Sequence, residues 1–152
     1  YTMEPVTTIA AANTVIAWYE RRPTIEDYHK ALKTGCGVER RYYETAERLE
    51  RVTGLLSVVA VRLLQLKTAA RETPDRPAVE VAPTQWVELV QLVRKKPINP
   101  RMTLRDFLRA IAGLGGHLGR KGDGEPGWIT LWRGFEKLML LARGADAQRR
   151  CG

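Results

Sequence analysis

The chain has 152 residues, enough for one ordinary domain with its own core, and no run approaches the ~18 consecutive apolar residues of a membrane-spanning helix. Only two cysteines are present, Cys36 and Cys151, which argues against a disulfide framework and fits free thiols in a reducing cytoplasm. The formal charge of +8 is concentrated: Arg94, Lys95, Lys96, Arg101, Arg105, Arg109, Arg120 and Lys121 face a single acid, Asp106, across that stretch. Such a field favours a polyanion such as nucleic acid, although a solvated basic surface has the same composition.

The chain opens at Tyr1, in a run through Val6 that reads like the end of a strand, and it is expected to be a piece of a longer protein. Thr7 or Thr8 can cap a helix that starts near Ile9, with Val6 packing back as a staple. Val15, Ile16, Trp18 and Tyr19 give that helix an apolar face. Pro23 lacks a backbone donor and disfavours helical geometry at Arg22. One helix is therefore expected to end at Arg22 and a second to start with Pro23 at its first position. Glu26 and Asp27 then fall in the first turn, where negative charge suits the helix dipole, and Gly35 and Gly37 close the helix.

A long helix is expected from about Tyr42 to Arg71, because Leu49, Val52, Leu55, Leu56, Val59, Leu63 and Leu66 recur at steps of three and four. Thr73 to Pro83 holds Pro74, Pro77 and Pro83 among charged residues and reads as an exposed linker. Thr84 can cap a helix through Trp86, Leu89, Val90 and Val93, and Lys95 to Pro100 reads as a loop. Thr103 caps a helix carrying Leu104, Phe107, Leu108 and Ile111. Gly113 to Gly127 is a glycine-rich loop, and a last helix spans roughly Gly127 to Leu141. Its residues Trp128, Leu131, Trp132, Phe135, Leu138 and Met139 form an apolar stripe. That stripe can fill the chain's own core, or it can serve as a subunit interface dominated by large aromatics.

Between Trp18 and Gly35 the residues Tyr19, Arg22, Glu26 and Lys33 stand in the spacing Y-x2-R-x3-E-x6-K. In a helix starting at Pro23, Glu26, Lys30 and Lys33 share one face. Taken alone, that is a weak surface ion pair. The alternative is a metal-binding carboxylate flanked by cations that grip phosphates, but a two-metal site needs several carboxylates. Asp27 points elsewhere, because adjacent helical positions diverge by about 100°. Glu26-x-x-His29 matches a carboxylate-bundle iron motif, yet no partner motif accompanies it. The glycines from Gly113 to Gly119 follow a helix and lack a Gly-Lys-Ser/Thr, so they read as a connector rather than a phosphate loop.

The Y-x2-R-x3-E-x6-K spacing resembles the glutamate region of bacterial insertion-sequence transposases of the Asp-Asp-Glu class, a family that includes the transposase of the kanamycin-resistance composite transposon. Leu55–Leu66, Ile111–Gly116 (I-A-G-L-G-G) and Gly127–Phe135 (G-W-I-T-L-W-R-G-F) are similar to later parts of the same family, in the same order. The resemblance implies that Glu26 is the third metal ligand of a ribonuclease-H-like core, with Mg²⁺ or Mn²⁺ as cofactor in the complete enzyme. It implies that Tyr19, Arg22, Lys30 and Lys33 contact transposon-end DNA, and that the region of Trp128, Leu131, Trp132 and Phe135 pairs two subunits. At Pro23 the chain departs from close relatives, which commonly carry Trp there, and Pro stacks less well on an exposed base.

The fold expected is mainly α: the C-terminal helices of a ribonuclease-H-like core (1–72), a linker (73–83), and a helical dimerisation and DNA-contact region (84–152). The function expected is that of the C-terminal part of a cut-and-paste transposase in the bacterial cytoplasm. It would pair with itself or with full-length transposase. It would be inactive alone, because the two aspartates that precede the glutamate in the family are absent upstream of Glu26. The other readings are a non-catalytic helical DNA-binding or dimerisation module, which could poison an intact enzyme, and a decayed remnant. Without a covering sheet, the apolar faces of the first and third helices would lie bare.

Overall fold

A computed structural model describes residues 3–151. They form α1 (Ile9–Glu20), α2 (Arg22–Lys30), α3 (Ala46–Glu72), α4 (Thr84–Val93), α5 (Leu104–Leu114) and α6 (Trp128–Cys151). Among the described residues no strand is present, and one isolated antiparallel bridge joins Pro77 to Thr103. The mainly α expectation holds. The opening strand does not: Met3–Val6 are irregular, and Tyr1 and Thr2 lie outside the described residues.

The helix starts follow from local hydrogen bonds. Thr8 accepts from the Ala11 amide at 3.1 Å, Thr45 from Arg48 at 3.3 Å and Thr103 from Asp106 at 3.2 Å, each satisfying an otherwise orphaned first-turn donor. α3 thus begins at Ala46 rather than Tyr42, whose ring is fully exposed. Thr84 is the first residue of α4 and makes no cap; the capping position is Pro83. α6 runs ten residues beyond the expected Leu141, and its extension is held by Gln85, whose Nε2 donates to Asp146 Oδ1 at 3.0 Å.

One core cluster, with members from Ala31 to Leu138, joins α3, α4, α5 and α6. α3 contributes Leu56, Ala60, Leu63, Leu66 and Ala70. α5 contributes Leu104, Phe107, Leu108 and Ile111, and α6 brings Trp128, Leu131, Phe135 and Leu138. By length and composition alone α3 could cross a membrane, yet this stripe faces the other helices and Arg62 hydrogen-bonds the Val81 carbonyl. Its other side is bare, with Leu55 69% and Val58 70% exposed. α1 buries none of its residues, and Trp18 and Tyr19 are exposed.

α5 and α6 cross backbone to backbone at Gly115 and Gly134. A Cβ on Gly134 would fall well inside van der Waals contact of the Ile111 carbonyl oxygen and 2.7 Å from its carbon. One on Gly115 would likewise collide with the Thr130 carbonyl and lie 2.7 Å from the Gly134 nitrogen. Only hydrogen at both positions permits this approach.

The segment Thr73–Pro83, expected as an exposed linker, is tied down instead. Ala78 and Ala82 are buried in the shared core. Ala78 N donates to Met102 O at 2.9 Å and Leu104 N to Arg76 O at 2.8 Å, so the segment pairs with the entry to α5. Small apolar residues between prolines provide the anchor, and the core continues across the expected boundary.

Candidate functional site

The α1–α2 junction carries the motif residues. α1 ends at Glu20, Arg21 separates the two helices, and Pro23 is the second residue of α2, one position later than expected. Glu26 is therefore in the second turn, and the first turn contains no acid. Its partner lies one turn back: Arg22 Nε meets Glu26 Oε1 at 2.9 Å, and Arg22 Nη1 donates to the Tyr19 hydroxyl at 3.1 Å. The Arg22 guanidinium carbon stands 5.7 Å from the Tyr19 ring centroid. Tyr19 and then Glu26 push the Arg22 pKa up. Tyr19, Arg22 and Glu26 thus form one connected, solvent-exposed group, which can present a guanidinium and a carboxylate to a strand.

The expected grouping of Glu26 with Lys30 and Lys33 is not formed. A π-helical turn, Ala31–Gly35, follows α2, with Cys36 N donating to Ala31 O at 2.8 Å. A π turn holds one residue more than an α turn, so Lys33 rotates off the Glu26 face. Lys33 Nζ pairs with Glu39 Oε1 at 2.8 Å, which raises the Lys33 pKa. Lys30 is exposed, and no ion pair joins it to Glu26 among the described residues. The turn packs inward through Gly35, where a Cβ would stand 3.7 Å from Trp128 Cβ. Cys36 is a free, buried thiol with its pKa pushed up to about 11 by that burial. The Cys151 side chain lies outside the described residues.

Asp27 diverges from Glu26 and acts on Lys67 instead. The Lys67 ammonium lies 4.2 Å from the Trp128 ring centroid, a cation–π contact. Burial lowers the Lys67 pKa, and the Asp27 carboxylate partly opposes this. Asp27 and Lys67 line one pocket with Arg71, Arg105 and Glu125. Among the described residues no three His, Cys, Asp or Glu side chains gather as metal ligands. Glu26 is one exposed carboxylate engaged with Arg22, so the residues of this chain do not by themselves fit a two-metal site.

The aromatic stripe of α6 divides. Trp128, Leu131 and Phe135 are committed to the chain's own core, with Phe135 edge-on to Trp86 at 5.5 Å between centroids. Trp128 and Leu131 are thereby turned from the surface, whereas Phe135, though buried, also lines the groove beside Trp132. Trp132 is half-buried and retains an outward edge. The outward positions are Ile129, Trp132, Glu136, Leu140 and Arg143, at steps of three and four along a second face. Leu140 is 67% exposed. Together with Val59 of α3, Trp132, Met139 and Leu140 line an open groove. In the sequence, Leu140 and Leu141 are visible as apolar residues out of phase with the core stripe.

Residues 58–151, well over half of the chain, match the family model described as the Tn5 transposase dimerisation domain.

Proposed function

Since the chain belongs to the family of the Tn5 transposase dimerisation domain, we propose that it is the self-associating helical portion of a cut-and-paste DNA transposase and that two copies meet through the outward face of α6. The observation that carries the surface assignment is Leu140. It is 67% exposed on a helix whose inward face already buries Trp128, Leu131, Phe135 and Leu138. Apolar groups left in water beside a half-buried Trp are the composition of an interface centre. Leu140→Glu places a charge there without touching the core. A central contact is worth about 2 kcal/mol, so the variant is expected to dissociate about 30-fold more readily. Sedimentation velocity reads this directly. Dimerisation unchanged in Leu140→Glu, with the same helical circular dichroism, would assign the interface elsewhere.

The same reading gives the α1–α2 junction its role. Tyr19, Arg22, Lys30 and Lys33 contact DNA, and Glu26 supplies one ligand to Mg²⁺ or Mn²⁺ when carboxylates from outside this chain complete the set. The Arg22–Glu26 bridge, both side chains more than half exposed, is open to exchange with a phosphate or a metal. By itself the chain is expected to leave a supercoiled plasmid uncut in Mn²⁺. Metal-dependent nicking that disappears in Glu26→Ala would overturn this.

A further inference from the structure

A cleft of about 490 Å³ lies between the end of α4, the loop that follows it, α5 and the glycine-rich loop beyond α5. Arg94, Lys96, Arg101 and Arg109 line it, joined by His117 and opposed by one carboxylate, Asp106. This is where the basic excess of the sequence gathers in space. Its volume suits a nucleotide-sized segment rather than a single small ion.

Three of the four cleft cations carry no ion pair among the described residues. Several exposed cations elsewhere take carboxylate partners: Arg22 takes Glu26, Arg48 takes Glu44, Arg51 takes Glu47 and Arg76 takes Glu80. Arg109 bridges to Glu125 at 2.9 Å. Arg94, Lys96 and Arg101 have no ion pair among the described residues. Like charges gathered in one concavity repel each other, and an entering polyanion offsets that repulsion.

Both walls are also fixed. Gln91, only 5% exposed, accepts from Asn99 N at 2.7 Å and donates to Asn99 O at 3.3 Å and Val87 O at 2.9 Å. Asn99 Oδ1 in turn accepts from Arg101 N at 2.9 Å, and Lys96 N donates to Gln91 O at 3.0 Å. One buried amide therefore holds the loop that presents Lys96 and Arg101. On the opposite wall α5 is closed by Gly115 and then by Gly116 at φ 100°. Gly116 N donates to Gly113 O at 3.1 Å and His117 N to Ala112 O at 2.9 Å. This left-handed glycine cap fixes His117 at the rim. Cations on a preformed backbone lose little freedom on binding.

We propose that this cleft grips the phosphate backbone of duplex DNA, as a second contact face separate from the α1–α2 junction. The proposal rests on the transposase reading above and adds a site to it. No Phe, Tyr or Trp lines the cleft and its charged lining is dominated by cations, so contact is with phosphates and independent of sequence. The cleft lies inside residues 58–151, whose family description names dimerisation and not nucleic acid.

The test is fluorescence anisotropy of the purified chain with a labelled 20-base-pair duplex of arbitrary sequence, titrated at several NaCl concentrations. The triple variant Arg94→Gln/Lys96→Gln/Arg101→Gln should bind at least about tenfold more weakly at low salt. Its log–log salt slope should be shallower by about 2 to 3, since each phosphate no longer neutralised removes about 0.9. Lys96→Gln alone should flatten the slope by about 1. A charge-matched control, Arg48→Gln/Arg51→Gln/Arg149→Gln, should stay within about twofold of the unaltered chain, since those side chains are paired elsewhere. Equal losses in the cleft and control variants would reduce the effect to net charge and overturn the proposal. Losses confined to Arg22→Gln/Lys33→Gln would overturn the cleft while leaving the α1–α2 reading standing. Displacement of the duplex by inorganic phosphate at constant ionic strength would make the cleft a small-anion site instead. No binding by the unaltered chain at low salt would sink both readings.

Discussion

Gly134→Ala is expected to destabilise the chain by about 3 kcal/mol, although the same substitution in an unencumbered helix stabilises by about 1 kcal/mol. The opposite sign comes from the α5–α6 crossing. The added methyl meets the Ile111 carbonyl and lies 3.1 Å from the Gly115 nitrogen, and both are backbone atoms that no rotamer change can move. The helices must separate, which loosens the layer of Leu131, Phe135 and Ile111 between them. For a chain of this size that loss lowers the melting temperature by roughly 6–12 °C. Gly144, in the same helix, provides the internal comparison. Nothing lies within 4 Å of a Cβ built there, so Gly144→Ala should be neutral or slightly stabilising. Thermal melts that give the two variants the same sign would refute the close crossing.

Phe107→Ala is expected to cost about 3–5 kcal/mol, a large share of the roughly 5–15 kcal/mol that holds an ordinary domain together. Phe107 is fully buried in the first turn of α5, in the cluster that joins α3, α4 and α6. Its removal takes away apolar burial and leaves a cavity that neighbours on separate helices cannot collapse into. Leu55→Ala removes a comparable apolar group from the bare side of α3, where the side chain is 69% exposed, and should change stability by less than about 0.5 kcal/mol. Urea titrations of the two variants separate core from surface. A Phe107→Ala midpoint equal to that of Leu55→Ala would mean that the four helices do not share one core.

Helix starts are legible in the sequence because they are local. Thr8 and Thr103 cap through hydrogen bonds that reach three residues, and the hydroxyl and the amide are both visible in the sequence. The core stripe of α6 is legible from its period, and that of α3 in part: Leu56, Leu63 and Leu66 are buried, but Leu49 and Leu55, which keep the same steps, are exposed. The π turn is not: its extra residue is stabilised where Gly35 meets Trp128, and those two segments are far apart in the chain. That single insertion moves Lys33 from Glu26 to Glu39 and separates the expected cationic face. Glycine is ambiguous for the same reason. Gly115 reads as the start of a loop, whereas the structure uses it for the approach of α6, and only the partner at Gly134 reveals this. The end of α6 is hidden because Arg143 to Arg150 lacks an apolar period, although Ala, Gln and Arg all favour helix. Trp128 and Leu131 show how an apolar stripe can fit an interface in sequence and a core in space.

Self-association is read from the molar mass of the purified chain by sedimentation equilibrium across a range of loading concentrations. A reversible monomer–dimer equilibrium is expected, saturating at twice the monomer mass of 17.2 kDa. A monomer at every concentration, or a mass that climbs without reaching a plateau, would contradict it.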